Sequence, residues 1–193
     1  MQGFRDPLPA LGVLFALLRG RWYAFRYRLR GVRIQVGKNF RCHGKLVIAG
    51  KGKVTIGDNV VFRENLRHVY LGSNSAEYEI RIGSEVWLHG TCVSCRDRVE
   101  IGDRSLVGRV DITDHEFHDP RDLSRTQKIR SRPVILHQNT WIGNDAAIFK
   151  GVEIGEHSVV GARTVVRKSL PARVVAIGNP ARVVKELEPP PEA

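Results

Sequence analysis

An internal repeat of six residues constrains the fold of this chain more than any other feature. Between Val134 and Val166, aliphatic residues recur at every sixth position: Leu136, Ile142, Ile148, Ile154, Val160 and Val166. An α-helix needs apolar residues about every 3.6 positions and an amphipathic strand about every 2, so neither fits a sustained period of six. A short strand followed by a corner does fit, because the aliphatic side chain points into a core and a nearby Gly, Asn or Asp relaxes the turning backbone.

Repeat units of this length cannot bury an apolar face alone, so they must stack on one another. Three units make one triangular coil, and aliphatic residues three units apart should lie one above the other. The predicted pairs are Leu136 with Ile154, Ile142 with Val160, and Ile148 with Val166. Coils stacked at the spacing of β-strands, roughly 4.8 Å, then form a continuous aliphatic column.

The chain is strongly basic, with a formal net charge of +11 over 193 residues. This length fits one domain with a terminal appendage. The charge predicts an anionic partner. Nucleic acid is not favoured, because we find no recognition motif and no basic helix suited to a groove. The phosphates of a cofactor, an anionic glycan or a membrane surface account for the charge as well.

The three cysteines, an odd number, do not suggest a disulfide framework. Cys92 and Cys95 form a single C-x-x-C inside a repeat region, without the second pair of ligands that a zinc site needs. The preferred interpretation is a set of reduced thiols packed in a coil. Reduced thiols in turn predict a cytoplasmic protein.

Residues 1–31 differ in composition from the rest of the chain. An apolar run from Leu8 to Leu18 is followed by five arginines among four aromatic residues. The run is shorter than the ~20 residues that span a bilayer, and it lacks the pattern of a cleaved signal. Two interpretations remain open: a helix packed on the repeat domain or a neighbouring subunit, which we prefer, and an interfacial helix at the inner face of a membrane.

Weaker repeats precede the main ones, near Val36, Ile56, Ile82 and Ile101. The segment 63–78 breaks this register and is predicted to bulge from a corner. Beyond Val166 the repeats give way to Leu170-Pro171 and then to Gly178-Asn179-Pro180. The coils are predicted to end there, because proline cannot donate a ladder hydrogen bond. Single Gly-Asp pairs, such as Gly57 with Asp58, are interpreted as turns rather than metal sites.

The longest interruption, residues 113–133, is polar and lies between two well-marked coils. Long irregular loops in compact domains are usually functional or disordered. The predicted organisation is therefore an N-terminal helical and basic segment at 1–31, a repeat domain at 32–170 with a loop at 113–133, and a C-terminal cofactor-binding segment and tail at 171–193.

Three motifs resemble those of the hexapeptide-repeat acyltransferases: TWIG at 140–143, IGEHSVVGARTVV at 154–166 and GNPARVV at 178–184. The resemblance covers roughly residues 34–185. It implies an all-β fold, a left-handed parallel β-helix with an N-terminal α-helical segment and an extruded loop. Handedness comes from the resemblance, because the period alone does not determine it. The family also implies acetyl-CoA as acyl donor and a homotrimer with its sites between subunits.

In this family a histidine near the start of the loop is the catalytic base, and His115 occupies that place. Histidine suits the role because its unperturbed pKa lies near 6.5. The resemblance implies that His115 removes the acceptor proton while the oxygen attacks acetyl-CoA, without an acyl-enzyme. His118 is a rival for this role, and Asp114 or Asp111 would hold the imidazole tautomer.

The resemblance also implies a set of cofactor contacts. Backbone N–H groups near Asn144 and Ala162 would meet the thioester carbonyl and the pantetheine amides. Basic residues after the last coil, Lys185 among them, would bind the coenzyme phosphates. The predicted set is Trp141, Asn144, Ala162, Arg163, Thr164, Arg167, Lys168, Asn179, Pro180 and Arg182. Asn144 and Arg163 stand where small residues are usual, so the groove should differ in shape.

The leading hypothesis is an acetyl-CoA-dependent O-acetyltransferase acting on a sugar of a cell-surface glycan or its precursor. An N-acetyltransferase for an amino sugar is a close alternative, because the same base serves an amine. A second alternative is a metal enzyme resembling γ-type carbonic anhydrases, with His89 and His115 among its ligands. A third is a non-catalytic scaffold, which the GNPA segment at 178–181 disfavours.

Overall fold

The computed structural model describes residues 10–64, 67–72, 77–118 and 129–189. One helix, α1 (Ala10–Leu29), precedes a series of short strands that form three sheets. In spatial order, the first sheet holds β1 (Arg33–Val36), β4 (Lys53–Ile56), β7 (Glu79–Ile82), β10 (Arg98–Ile101), β13 (Val134–Leu136) and β16 (Glu153–Ile154).

The second sheet holds β2 (Arg41–His43), β5 (Val61–Arg63), β8 (Trp87–His89), β11 (Leu106–Val107), β14 (Trp141–Ile142), β17 (Val159–Val160), β19 (Val174–Ile177) and β20 (Arg182–Glu186). The third holds β3 (Leu46–Ala49), β6 (Val69–Gly72), β9 (Cys92–Ser94), β12 (Asp111–Thr113), β15 (Ala147–Ile148) and β18 (Val165–Val166). The chain visits the three sheets in turn, so each circuit is one coil. The predicted left-handed parallel β-helix is confirmed.

The register of the coils follows the six-residue repeat. Three parallel strand pairs, β13 with β16, β14 with β17 and β15 with β18, set the predicted residues opposite one another. The confirmed pairs are Leu136 with Ile154, Ile142 with Val160, and Ile148 with Val166. Each of these side chains is at most 1% exposed. The core is therefore a column of aliphatic side chains along the coil axis.

The corner between the first and second sheets brings successive backbones into close contact. A β-carbon built on Gly57 would lie 2.6 Å from the carbonyl carbon of Gly83, on the next coil. The following aspartate caps the previous turn, since Asp58 Oδ1 accepts a hydrogen bond of 2.6 Å from the Lys38 amide. The interpretation of the Gly-Asp pairs as turns therefore agrees with the contacts they make.

Gly57→Ala is expected to lower the free energy of unfolding by about 1–3 kcal/mol, because the added methyl group must push two backbones apart. Denaturant unfolding followed by circular dichroism measures this loss. Lys51→Ala, at an exposed position, is the control and should change stability by less than about 0.5 kcal/mol. Equal stability of Gly57→Ala and wild type would show that the corner can relax.

The predicted bulge at 63–78 is wrong for the described part of that segment. Strand β6 lies within it and pairs in parallel with β3 and with β9, so the coil is kept. Val69 and Leu71 point into the core and are at most 1% exposed. In the sequence Leu71 follows Phe62 by nine residues and Ile82 follows Leu71 by eleven, so the period of six is hidden there. Residues 65–66 and 73–76 lie outside the described residues.

The coils continue past Leu170 and Pro171, and the last parallel strand, β19, ends at Ile177, directly before the predicted end at Gly178-Asn179-Pro180. Leu170 forms a parallel bridge with Ile154, and β19 pairs in parallel with β17. Pro171 lies at the intervening turn, where its carbonyl accepts a 2.9 Å hydrogen bond from Ser158 Oγ. Because no ladder donor is needed at that turn, proline does not end the sheet. The domain boundary predicted at residue 170 therefore falls inside the second sheet, which β20 closes in antiparallel fashion.

The predicted loop at 113–133 leaves the third sheet after β12 and returns to the first sheet at β13. Its two ends lie side by side, because His115 forms an antiparallel bridge with Ser131. The Arg132 amide donates to the Asp114 carbonyl over 2.8 Å. Residues 119–128 lie outside the described residues. The two ends thus place His115 at one corner of the β-helix.

Helix α1 packs one face on the first coils. Its buried residues are Ala16, Gly20, Tyr23, Ala24 and Tyr27. The Tyr27 hydroxyl donates to the Leu46 carbonyl and accepts from the Ile48 amide, each over 3.0 Å. This buried face agrees with the preferred interpretation, in which the helix packs on the repeat domain. In the described part of the chain, no helix is long and apolar enough to cross a membrane.

Candidate active site

His115 lies two residues after the end of β12, near the start of the insertion. Its side chain is largely buried, and its Nδ1 lies 2.9 Å from Oδ1 of Asp114. The Phe117 ring meets the imidazole edge-on, with 4.9 Å between centroids. Thr113 Oγ1 donates to the His115 carbonyl over 3.3 Å. The histidine is therefore held on three sides by its own segment of chain.

Asp114 is fully buried and accepts hydrogen bonds from the preceding coil. The Arg96 amide lies 2.9 Å from its Oδ1, the Asp97 amide 2.7 Å from its Oδ2, and Cys95 Sγ 3.3 Å from the same Oδ2. Burial by itself would raise the pKa of Asp114. The hydrogen bonds from His115, the two amides and the thiol outweigh burial, and the pKa is lowered. Asp114 is therefore an ionised acceptor at neutral pH.

This arrangement determines which nitrogen of His115 is available for chemistry. An ionised carboxylate only accepts hydrogen bonds, so Nδ1 must carry the proton that it shares with Asp114. In the neutral imidazole the other nitrogen, Nε2, then has a free lone pair. Asp111, the alternative partner, instead forms a 2.9 Å ion pair with Arg67 on the surface. Of the two predicted aspartates, only Asp114 contacts the imidazole.

A cavity of about 680 Å³ opens beside His115. The insertion contributes residues from both of its ends, and the last coils contribute the opposite wall. Three further predicted residues, His118, Arg167 and Asn179, line the same cavity. The structure thus brings the candidate base together with two of the predicted cofactor contacts. A cavity of this size is in the usual range for small-molecule sites, which is about 300–1,000 Å³.

Several lining residues were not predicted from the sequence: Glu116, Phe117, Arg132, Phe149 and Lys150. Phe149 could have been predicted from the repeat, because it lies one coil before Arg167 at the same corner. Arg132 lies on the returning end of the insertion, where no period applies. Lys150 Nζ lies 2.6 Å from Glu116 Oε1. With Arg167, three cations and one carboxylate line the cavity, which favours an anionic ligand.

The other predicted cofactor residues do not line this cavity. Trp141 is 55% exposed on β14, in the second sheet. Asn144 and Ala162 lie at successive corners between the second and third sheets, and Arg163 follows with a left-handed backbone, φ +58°. Thr164 is buried, and its Oγ1 accepts a 3.2 Å bond from the Gly178 amide. The remaining three are exposed: Lys168, Pro180 and Arg182.

The three cysteines are free thiols. Burial raises the pKa of each of them, to about 12 for Cys42. Thiols with such pKa values are protonated at neutral pH, so they are poor nucleophiles. Cys95 instead acts as a hydrogen-bond donor to Asp114.

The metal-enzyme alternative needs His89 and His115 at one site. His89 lies on β8 in the second sheet, whereas His115 follows β12 in the third. Among residues 10–64, 67–72, 77–118 and 129–189, no three His, Cys, Asp or Glu residues are grouped as metal ligands. The described residues therefore do not assemble the ligand set that this alternative requires.

The lowered pKa of Asp114 predicts a loss of stability in acid. Its native pKa lies below the unfolded value of about 3.9, so its contribution is present above that value and is lost as the pH falls through the native pKa. The free energy of unfolding of wild type should therefore fall more steeply below about pH 5 than that of Asp114→Asn. Urea unfolding across this range measures both slopes. Asp111→Asn is the matched control, and parallel slopes for wild type and Asp114→Asn would contradict the prediction.

Comparison with known proteins supports the class of protein that the fold and the site indicate, which is an acyltransferase. The family model described as bacterial transferase hexapeptide (six repeats) matches residues 133–168. "Putative colanic acid biosynthesis acetyltransferase WcaF" of Escherichia coli is 31% identical over 166 residues, which are 86% of this chain and 75% of that protein. Galactoside O-acetyltransferase of the same organism is 29% identical over 157 residues, covering 81% of this chain but only 56% of that protein.

Solved structures share the fold. AntD, an N-acyltransferase from Bacillus cereus, superposes with a TM-score of 0.69 at 24% identity, covering 85% of this chain and 88% of AntD. A galactoside acetyltransferase gives a TM-score of 0.54 at 24% identity, covering 96% and 86%. Fold and relatives together define an acyltransferase class. The chain belongs to the hexapeptide-repeat transferase family.

Proposed function

We propose that this protein is an acetyl-CoA-dependent O-acetyltransferase that modifies a sugar hydroxyl in a cell-surface glycan or its precursor. One observation carries the proposal. The buried Asp114–His115 pair, with 2.9 Å between Oδ1 and Nδ1, stands at the wall of a cavity with a basic lining. In an acyltransferase of this family, a base oriented in this way would remove the proton of the acceptor while the acceptor attacks the thioester.

The reaction can be written in terms of this pair. His115 Nε2 accepts the proton of the acceptor hydroxyl as the oxygen attacks the thioester carbonyl carbon. The tetrahedral intermediate collapses, the C–S bond breaks, and the CoA sulfur takes the proton from the imidazolium. Asp114 holds the ring in place and stabilises its charged form, as the carboxylate of a catalytic triad does. No cysteine is required, in agreement with the raised pKa values of all three thiols.

The coenzyme would bind along the basic side of the cavity. Arg167 and Arg132 suit its phosphates, since phosphate favours charge-assisted hydrogen bonds, and Asn179 adds a polar contact. Solved structures of AntD with 3-hydroxybutyryl-CoA and of a galactoside acetyltransferase with coenzyme A support a coenzyme of this type. Saturating CoA should therefore raise the melting temperature, by the equivalent of about 2.7 kcal/mol at a hundredfold excess over Kd.

A homotrimer would account for the predicted contacts that lie away from the cavity. Trp141 lies on the second sheet, and Asn144 and Ala162 lie on the corners between the second and third sheets. His115 lies at a different corner, between the third and first sheets. If the coenzyme binds between subunits, the edge of one subunit can meet the cavity of another, as the family resemblance implies. Light scattering at assay concentration measures the mass. A monomer that binds CoA would contradict this arrangement.

The acceptor is proposed from the relatives whose sequences align over most of this chain. Their names specify a galactoside O-acetyltransferase and a colanic acid biosynthesis acetyltransferase, both of which suggest a sugar acceptor. AntD is named as an N-acyltransferase, and its S84A mutant was solved with dTDP-4-amino-4,6-dideoxyglucose, so an amino sugar is the alternative acceptor.

The deciding experiment measures free-thiol release from acetyl-CoA against a panel of neutral sugars, nucleotide sugars, amino sugars and glycans. Turnover on a hydroxyl acceptor is the expected result. Turnover restricted to amino sugars would replace the O-acetyl proposal by N-acetylation. If CoA neither raised the melting temperature nor was consumed with any acceptor, the proposed function would be wrong.

A further inference from the structure

Helix α1 has a second apolar face that is largely exposed, although Phe25 borders a groove between the helix and the first coil. Its large side chains are between 51% and 73% exposed: Leu11, Leu14, Phe15, Leu18, Trp22, Phe25 and Leu29. Six of them follow one another at spacings of four and three residues, which places them on one stripe of a helix. We call these seven residues the outer stripe. Single exposed apolar residues are ordinary, but a contiguous row of this kind marks an interaction surface.

Arginines border the outer stripe on both sides. At 100° per residue, Arg19 and Arg26 lie along one side of it and Arg21 and Arg28 along the other. The Arg26 guanidinium lies over the Trp22 ring, 5.1 Å from the centroid. Residues 10–33 contain six arginines and no acidic residue. The face is therefore apolar along its middle and cationic along both edges.

We propose that the outer stripe docks on the surface of a bilayer that contains anionic lipids. The apolar side chains would enter the boundary between head groups and acyl chains, and the arginines would extend to the phosphates at either side. Tryptophan beside arginine is the pairing that suits this interfacial depth. The proposal concerns only the helix and does not depend on the acetyl acceptor.

The charges favour a membrane over a stripe-to-stripe contact between two copies of this chain. Two copies meeting through the outer stripe would bring rows of arginine against each other without an acidic partner in residues 10–33. Like charges at a contact are costly, whereas an anionic surface gains from each arginine. A nucleic acid is also disfavoured as the partner, because the seven large apolar side chains of the outer stripe would have nothing apolar to pack against. The inward face is already used, since Tyr27 is hydrogen-bonded to the third sheet.

Co-sedimentation of the full chain with large unilamellar vesicles tests the proposal. Vesicles of phosphatidylcholine mixed with phosphatidylglycerol should bind the protein at least about tenfold more tightly than phosphatidylcholine alone, because each arginine near the surface adds to the attraction. High salt should weaken this binding, because surface charges are screened. Tryptophan emission should shift to the blue as Trp22 leaves water. Equal binding to both vesicle types, or no binding to either, would overturn the proposal.

Two double variants test whether vesicle binding depends on the outer stripe or on exposed apolar side chains in general. Phe15→Ser with Phe25→Ser should weaken vesicle binding by roughly tenfold or more, because two rings no longer enter the interface. Val183→Ser with Val184→Ser is the matched control, since both valines are exposed on β20, away from the helix. Circular dichroism confirms that both variants fold. If the first variant bound as wild type does, or if it changed the mass in light scattering, the stripe would not be a membrane surface.

Discussion

Replacement of His115 by alanine is expected to reduce the rate of acetyl transfer by about 10²- to 10⁴-fold, the range usual for loss of a general base. The acceptor oxygen would then have to attack with its proton in place. The side chain makes its contacts at the edge of the cavity and is not part of the aliphatic column, so the variant should fold. The effect should appear in kcat, because the proton moves only in the transition state.

His118 provides the matched control for this prediction. It lines the same cavity but is exposed, and it lies three residues along the chain from His115. His118→Ala should lower the rate by less than about tenfold, because no residue in the described part of the chain is seen to orient its imidazole as Asp114 orients that of His115. Free-thiol release with both variants, at saturating acetyl-CoA, makes the comparison. Full activity in His115→Ala together with a large loss in His118→Ala would move the base to His118.

Loss of the Ile148 side chain is expected to have the largest effect on stability. Ile148 is fully buried in the third sheet, where it pairs with Ile112 on one coil and Val166 on the next. Ile148→Ala should lower the free energy of unfolding by about 2–5 kcal/mol, because the transfer free energy is lost and a cavity remains. For a chain of this length the melting temperature should fall by roughly 5–15 °C.

Val183→Ala is the control for this substitution, since Val183 is 44% exposed on β20. It should change the free energy of unfolding by less than about 0.5 kcal/mol. Calorimetry and urea unfolding measure both variants, and the slope of the urea curve should not change. A loss below about 1 kcal/mol for Ile148→Ala would mean that neighbouring coils collapse around the gap.

The sequence determined the coils and their register because the information is local and repeated. Each aliphatic residue of the 134–166 stretch occupies the same place in its unit, so a period of six is enough to pair Leu136 with Ile154. The candidate base was predicted from the family resemblance, which places a catalytic histidine near the start of the loop, where His115 lies. Where the spacing of the core residues departs from six the period is lost, and the strand β6 and the continuation past Pro171 were missed for that reason.

Only the tertiary structure decided what surrounds the base. The sequence offered both Asp114 and Asp111 as partners of the imidazole. What favours Asp114 is its bonds to the amides of Arg96 and Asp97, 18 and 17 residues earlier. Backbone N–H groups carry no residue-type signal, so no motif could reveal them. Arg132 reaches the cavity because the insertion folds back on itself. Likewise, the composition of α1 allowed both packing and surface contact, and the packing on the first coils decided which face is buried and which remains open.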